Sequence, residues 1–159
     1  MPIQEGAPLP ADLKGTVLEG GAPKPATLND LVAGKKAVVF GIPGAFTPTC
    51  TNDHLPSFVR NKAALKAKSI DAVICIATND SWVLNAWNQQ AGDPAITMFS
   101  DGTGNVTKAL GLGLNDFGVG YRTARFAMIV HGGTVKALNV EEKAATCTVS
   151  SAESILERA

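Results

Sequence analysis

This chain of 159 residues carries no excess charge, few cysteines and no long apolar run, and each lack closes off a class of function. Fourteen Lys and Arg balance fourteen Asp and Glu without any basic run. That argues against tracking nucleic-acid phosphates or lying on a membrane surface. No apolar stretch approaches the length that crosses a bilayer, so no membrane role is expected. Met1 to Gly6 show neither a basic segment followed by an apolar block nor an arginine-rich stretch, and Leu156 to Ala159 are unlike a Ser-Lys-Leu signal. The expected compartment is therefore the cytoplasm. The three cysteines, Cys50, Cys75 and Cys147, form no CxxC pair and no Cys/His ligand spacing, which argues against a structural zinc. In a reducing compartment such cysteines are either inert core or redox-active.

What is present is an ordinary globular composition, 45% hydrophobic and 18% charged, in a length that suits one domain over residues 1–159. The proline-rich opening (Pro2, Pro8, Pro10, Pro23, Pro25) reads as loops around a short strand near Leu13 to Leu18. Thr27 to Leu31 reads as a capped turn closed by Gly34. Strands are expected at 36–42, 71–77 and 95–99, and helices at 51–69, 81–91 and 105–110, the last running into a glycine-rich loop that includes Gly111 and Gly120. Residues 126–130 and 134–139 flank His131-Gly132-Gly133, a hairpin signal. Ser150-Ser151-Ala152-Glu153 predicts a capping box opening a last helix. Apolar strands alternating with helices imply a mixed sheet covered on both faces, an α/β fold of thioredoxin-like order.

The most informative stretch is Gly41-Ile42-Pro43-Gly44-Ala45-Phe46-Thr47-Pro48-Thr49-Cys50. A strand ends in a Gly/Pro turn, and a cysteine stands where a helix begins. The first N–H groups of a helix lack internal partners and carry positive dipole charge, which favours a thiolate. Cys50 is thus a candidate nucleophile. Lowering a thiol pKa from about 8.5 raises the thiolate fraction at neutral pH by about 30-fold at most, or ~2 kcal/mol. Nucleophilicity falls along with pKa, so fast chemistry also needs donors aimed at the reacting atoms.

Pro43 to Cys50 resembles the Pro-x-x-x-Thr-x-x-Cys signature of the peroxiredoxins. The wider text is similar to their type II, peroxiredoxin-5-like subfamily: Gly41 to Phe58, Cys75 to Asp80, Phe99 to Gly102, Arg125-Phe126-Ala127 and Val135 to Glu141. The resemblance implies a thioredoxin-fold thiol peroxidase that needs no cofactor and reduces hydrogen peroxide and alkyl hydroperoxides. Cys50 would be the peroxidatic cysteine and pass through a sulfenic acid. Thr47 would offer its hydroxyl, the backbone of residues 44–50 its N–H groups, Arg125 a fixed cation, and Pro43 a shield against water. His54, one turn beyond Cys50, could form a Cys–His pair, but packing or surface placement is the expectation. Trp82 and Trp87 are expected in the core or an interface, and Asp101 to Gly104 in a turn.

The subfamily resolves its sulfenic acid in more than one way. Cys147 lies where animal-type members place a resolving cysteine, and Cys75 where plant-type members place their second one. Cys147 is favoured, an external thiol next, and Cys75, in an apolar strand, last. Thioredoxin or glutaredoxin/glutathione is the implied reductant, and a homodimer is the implied assembly. Two other functions stand beside this one: a Cys–His hydrolase, and a non-catalytic redox sensor or chaperone-like module switched at Cys50.

Overall fold

The computed structural model describes residues 1–115 and 118–159. Its elements run β1 (Lys14–Glu19), β2 (Ala22–Thr27), α1 (Leu28–Val32), β3 (Lys36–Gly41), a π-helical turn (Cys50–His54), α2 (Leu55–Arg60) and α3 (Lys62–Ala67). They continue with β4 (Ala72–Ala77), α4 (Ser81–Ala91), β5 (Ile96–Ser100), α5 (Asn105–Leu110), β6 (Gly113–Leu114), β7 (Arg122–Thr123), β8 (Phe126–His131), β9 (Thr134–Val140) and α6 (Ala152–Leu156). Seven strands form one mixed sheet in the order β2-β1-β5-β4-β3-β8-β9, and β6 pairs with β7 apart from it. The parallel centre β3-β4-β5 is joined by helices, while the hairpin β8-β9 docks antiparallel on β3.

Two-residue alternation sends side chains to two cores. Val38, Phe40 and Cys75 pack with Leu55, Phe58, Trp87 and Ile155 on one face. Ala37, Val39, Ile74 and Ile76 pack with Leu28, Val32, Val106 and Leu110 on the other. At the end of β3 the chain must pass under Phe126: a Cβ on Gly41 would sit 2.2 Å from that ring, so only glycine fits. In the hairpin, Gly132 and Gly133 take φ of 58° and 78°, as a two-residue primed turn requires.

Three expectations change. Pro23 and Pro25 lie inside β2, which is tolerated because β2 is an edge strand and needs no donors on its outer side. The helix expected over 51–69 is broken at Asn61, whose amide donates to the Ser57 carbonyl (2.8 Å). The capping box does not close: Ser151, not Ser150, caps α6 by accepting from Ser154 N, and Glu153 reaches Arg60 instead. Trp87 is buried in the core, while Trp82 is 58% exposed on the surface of the chain. The glycine-rich loop falls partly outside the described residues and includes the short pair β6-β7.

Candidate active site

The chain leaves β3 at the sheet centre, turns through Pro43 and Gly44, both buried, and enters the helical segment that holds Cys50. Phe46 adopts φ 65°, the left-handed region that a bulky side chain rarely enters. Such a residue persists only where its neighbours hold it. Those neighbours are visible: Asn79, at the end of β4, accepts from Ala45 N (2.9 Å), and Thr47 closes the turn by donating its hydroxyl to the Gly44 carbonyl (2.7 Å). The Thr47 proton is therefore committed, and its oxygen is left with lone pairs that can accept. Two of the N–H groups expected to face a substrate are likewise taken, Ala45 by Asn79 and Thr47 by Gly44.

Cys50 is fully buried at the first residue of the π-helical turn. Arg125 stands directly before β8, and the pairing of β8 with β3 carries it from far along the chain to the cysteine. Its guanidinium is 2% exposed and every nitrogen is engaged. Nη2 donates to Cys50 Sγ at 3.1 Å, Nη1 to His54 Nδ1 at 3.1 Å, and Nε to the Ala144 carbonyl at 2.8 Å. A fixed cation is thus held against the sulfur by three directional bonds, the fork geometry that lysine could not reproduce.

His54 is the residue whose role the sequence did not show. It is fully buried, its ring tilted against Phe40 and Phe58, with Nε2 donating to the Ser150 carbonyl (2.9 Å) and Nδ1 accepting from Arg125. That pattern selects the neutral Nε2–H form. Burial, then the Arg125 charge, push its pKa down to about 3. Neither ring nitrogen is free to take a proton from Cys50, so the Cys–His hydrolase arrangement is absent. The i, i+4 spacing from Cys50 was the only signal in the sequence, and the partner that gives it meaning lies 71 residues away.

The other two cysteines differ in setting. Cys75 is fully buried in β4 across from Phe40, and burial raises its pKa well above the usual thiol value. Cys147 is half-buried in a strap, residues 141–150, that runs over the site. Arg125 holds the strap at the Ala144 carbonyl, Thr49 at the Ala145 carbonyl (2.9 Å) and His54 at the Ser150 carbonyl. From within it, the Glu141 carboxylate accepts from the backbone N–H groups of Thr148, Val149 and Ser150. Burial raises the Cys147 pKa as well. Asp101 caps α5 through Val106 N and Thr107 N, as the turn reading expects, and His131 lies exposed beside the hairpin turn. Among the described residues no cluster of His, Cys, Asp or Glu is arranged to hold a metal, and no helix is long and apolar enough to cross a membrane.

Comparison with known proteins agrees with this geometry. Residues 4–156 match the Redoxin family model. The chain is 44% identical over 143 residues to the chloroplastic peroxiredoxin-2E-2 of Oryza sativa subsp. japonica, covering 86% of this chain but only 63% of that relative, less than two thirds of its length. It is 42% identical over 134 residues to peroxiredoxin-2C of the same plant, covering 82% of each. Reduced Prx3 from Vibrio vulnificus in complex with H2O2 superposes with a TM-score of 0.92 at 39% identity, with 98% of each chain covered. The mixed sheet flanked by helices is therefore the thioredoxin-like fold of those proteins, and the chain belongs to the redoxin family as a peroxiredoxin.

Proposed function

We propose that the protein is a thiol peroxidase in which Cys50 reduces hydrogen peroxide and alkyl hydroperoxides. The observation that carries this reading is the Arg125 fork, which places a full positive charge 3.1 Å from the Cys50 sulfur. The thiolate sulfur attacks the terminal peroxide oxygen, the S–O bond forms as the O–O bond breaks, and the departing oxygen takes a proton to leave as alcohol or water. Sulfur is oxidised by two electrons to the sulfenic acid and the peroxide is reduced by two. Arg125 stabilises charge as it moves from sulfur to the leaving oxygen, and the lone pairs of the Thr47 hydroxyl accept from the peroxide O–H and orient it. Pro43, buried at the turn, keeps water from the sulfur.

Cys147 then condenses with the sulfenic acid, forming a disulfide and releasing water. It is half-buried on an irregular strap, whereas Cys75 is fully buried in the central sheet. A dithiol reductant of the thioredoxin type, or glutaredoxin with glutathione, returns both thiols. A cytoplasmic homodimer is the assembly that fits, with Phe46, 48% exposed on the active-site turn, as a contact.

Peroxide consumption measured side by side with thioredoxin and with glutaredoxin/glutathione tests this function. Turnover lost in Cys50→Ser and retained in Cys75→Ser is the expected result. A wild-type protein that consumes no peroxide with either donor overturns the reading.

A further inference from the structure

We propose that Arg122 selects hydroperoxides that carry a carboxylate, by binding that carboxylate at the mouth of the peroxidatic site. This rests on the peroxidase reading and adds a specificity determinant to it. The two arginines near the site, Arg122 and Arg125, are in opposite states. Arg125 is buried with each of its three nitrogens bound to the protein, one of them to the Cys50 sulfur itself.

Arg122 is only half-buried, and two of its nitrogens share one acceptor: Nε and Nη2 donate to the Val119 carbonyl at 3.2 and 3.1 Å. That contact fixes the side edge of the guanidinium and leaves the end edge, one hydrogen of Nη1 and one of Nη2, turned towards a bidentate carboxylate. Among the described residues no carboxylate takes it. The ion pairs among the described residues are Lys24–Glu19, Arg60–Glu153, Lys62–Asp93 and Arg158–Glu5.

The free edge opens on the peroxidatic turn. The point where a Cβ would stand on Gly44 is 3.5 Å from Arg122 Nη1 and 3.3 Å from the Thr47 methyl. Glycine leaves that point empty, so the guanidinium meets the wall that Thr47 and Gly44 form beside Cys50. The backbone beneath it is held on both sides: the Thr78 hydroxyl donates to the Tyr121 carbonyl (3.1 Å), and the Thr123 and Thr107 hydroxyls bond at 2.9 Å. A cation so placed, with its orientation set before ligand arrives, suits a hydroperoxide whose far end is anionic, as in hydroperoxy fatty acids. It gives nothing to hydrogen peroxide, which has no such end.

A carboxylate could also be brought by glutathione, and the test separates the two sources. We would measure kcat/KM for a hydroperoxy fatty acid, its methyl ester and hydrogen peroxide, with thioredoxin as donor, in wild type, Arg122→Gln and Arg122→Lys. The wild type should favour the acid over the ester about fivefold, the upper range for a solvent-facing ion pair. Arg122→Gln should bring that ratio near one while hydrogen peroxide turnover stays unchanged, and Arg122→Lys should fall between. An acid/ester ratio equal in wild type and Arg122→Gln overturns the assignment. So does an effect confined to the glutathione dependence in a parallel glutaredoxin/glutathione assay. Failure of the wild type to turn over any of the three instead overturns the peroxidase reading itself.

Discussion

The chemistry of the candidate site turns on one guanidinium with three commitments. Arg125 meets Cys50, His54 and the Ala144 carbonyl at once, so its position over the sulfur is set by its other two bonds as much as by the sulfur itself. Lysine would carry the same charge to one of the three partners only. Arg125→Lys should lower the rate of Cys50 oxidation by about a hundredfold, the scale seen when one preorganised donor is lost. Stopped-flow fluorescence against peroxide concentration reads this directly, with the melting temperature measured alongside to separate lost chemistry from lost fold.

His54 supplies a second prediction at this scale. Its folded pKa of about 3 lies below the unfolded value of about 6.5, so the unfolded chain binds the extra proton first. Stability contributed by the neutral ring is complete above pH 6.5 and is lost as pH falls towards 3. At pH 5 the loss from this one group is roughly 2 kcal/mol. Denaturant unfolding of wild type should show that decline, and His54→Gln, which does not titrate, should flatten it. Equal pH slopes for the two proteins would remove His54 as its source.

Among the elements, the strap of residues 141–150 matters most. It has no regular structure, yet Thr49, His54 and Arg125 hold it from the site and Glu141 gathers three successive N–H groups from within. All three donate to the same oxygen, Oε1, so truncating the side chain leaves them without that acceptor, a cost of about 1–3 kcal/mol for each group left unsatisfied. Glu141→Ala should therefore loosen the strap and raise the rate at which Cys147 reacts with N-ethylmaleimide by about tenfold. Mass spectrometry of the labelled peptide measures it, and Cys50 labelling in the same sample is the internal standard. A Cys147 rate equal to wild type would mean that the strap is held without Glu141.

In the whole molecule, the two routes for regenerating Cys50 make different demands. Cys147 lies on an irregular strap bound to the site at three points, whereas Cys75 is a fully buried member of the central sheet, so bringing Cys147 to Cys50 disturbs less of the core. Wild type treated with one equivalent of peroxide should give a Cys50–Cys147 disulfide on mass mapping. Cys147→Ser should give none and depend on an external thiol for turnover. An intramolecular bridge that survives in Cys147→Ser would assign resolution to Cys75 instead.

Much of the fold was legible in the sequence because it rests on local periodicity. The continuous apolar runs of β3, β4 and β8 and the acceptor that Asp80 offers at the start of α4 specify their elements within short windows. The exceptions depend on neighbours: prolines are accepted in β2 because it lies at an edge, and α6 starts one residue later than the box implies, capped by Ser151 while Glu153 pairs with Arg60. The site divides in the same way. Pro43, Thr47 and Cys50 lie within one turn of chain and were legible together. His54 was visible only as a spacing, and nothing along the chain singled out Asn79 or Arg122. What the sequence determined by itself is the place of a candidate nucleophile, the turn that holds it and the order of the central strands and their helices. What only the tertiary structure decided is how Arg125 is held, why His54 is neutral and where Arg122 points. Each of those depends on partners brought together by sheet pairing across tens of residues, and a directional bond has no trace in the chain until both of its ends are in place.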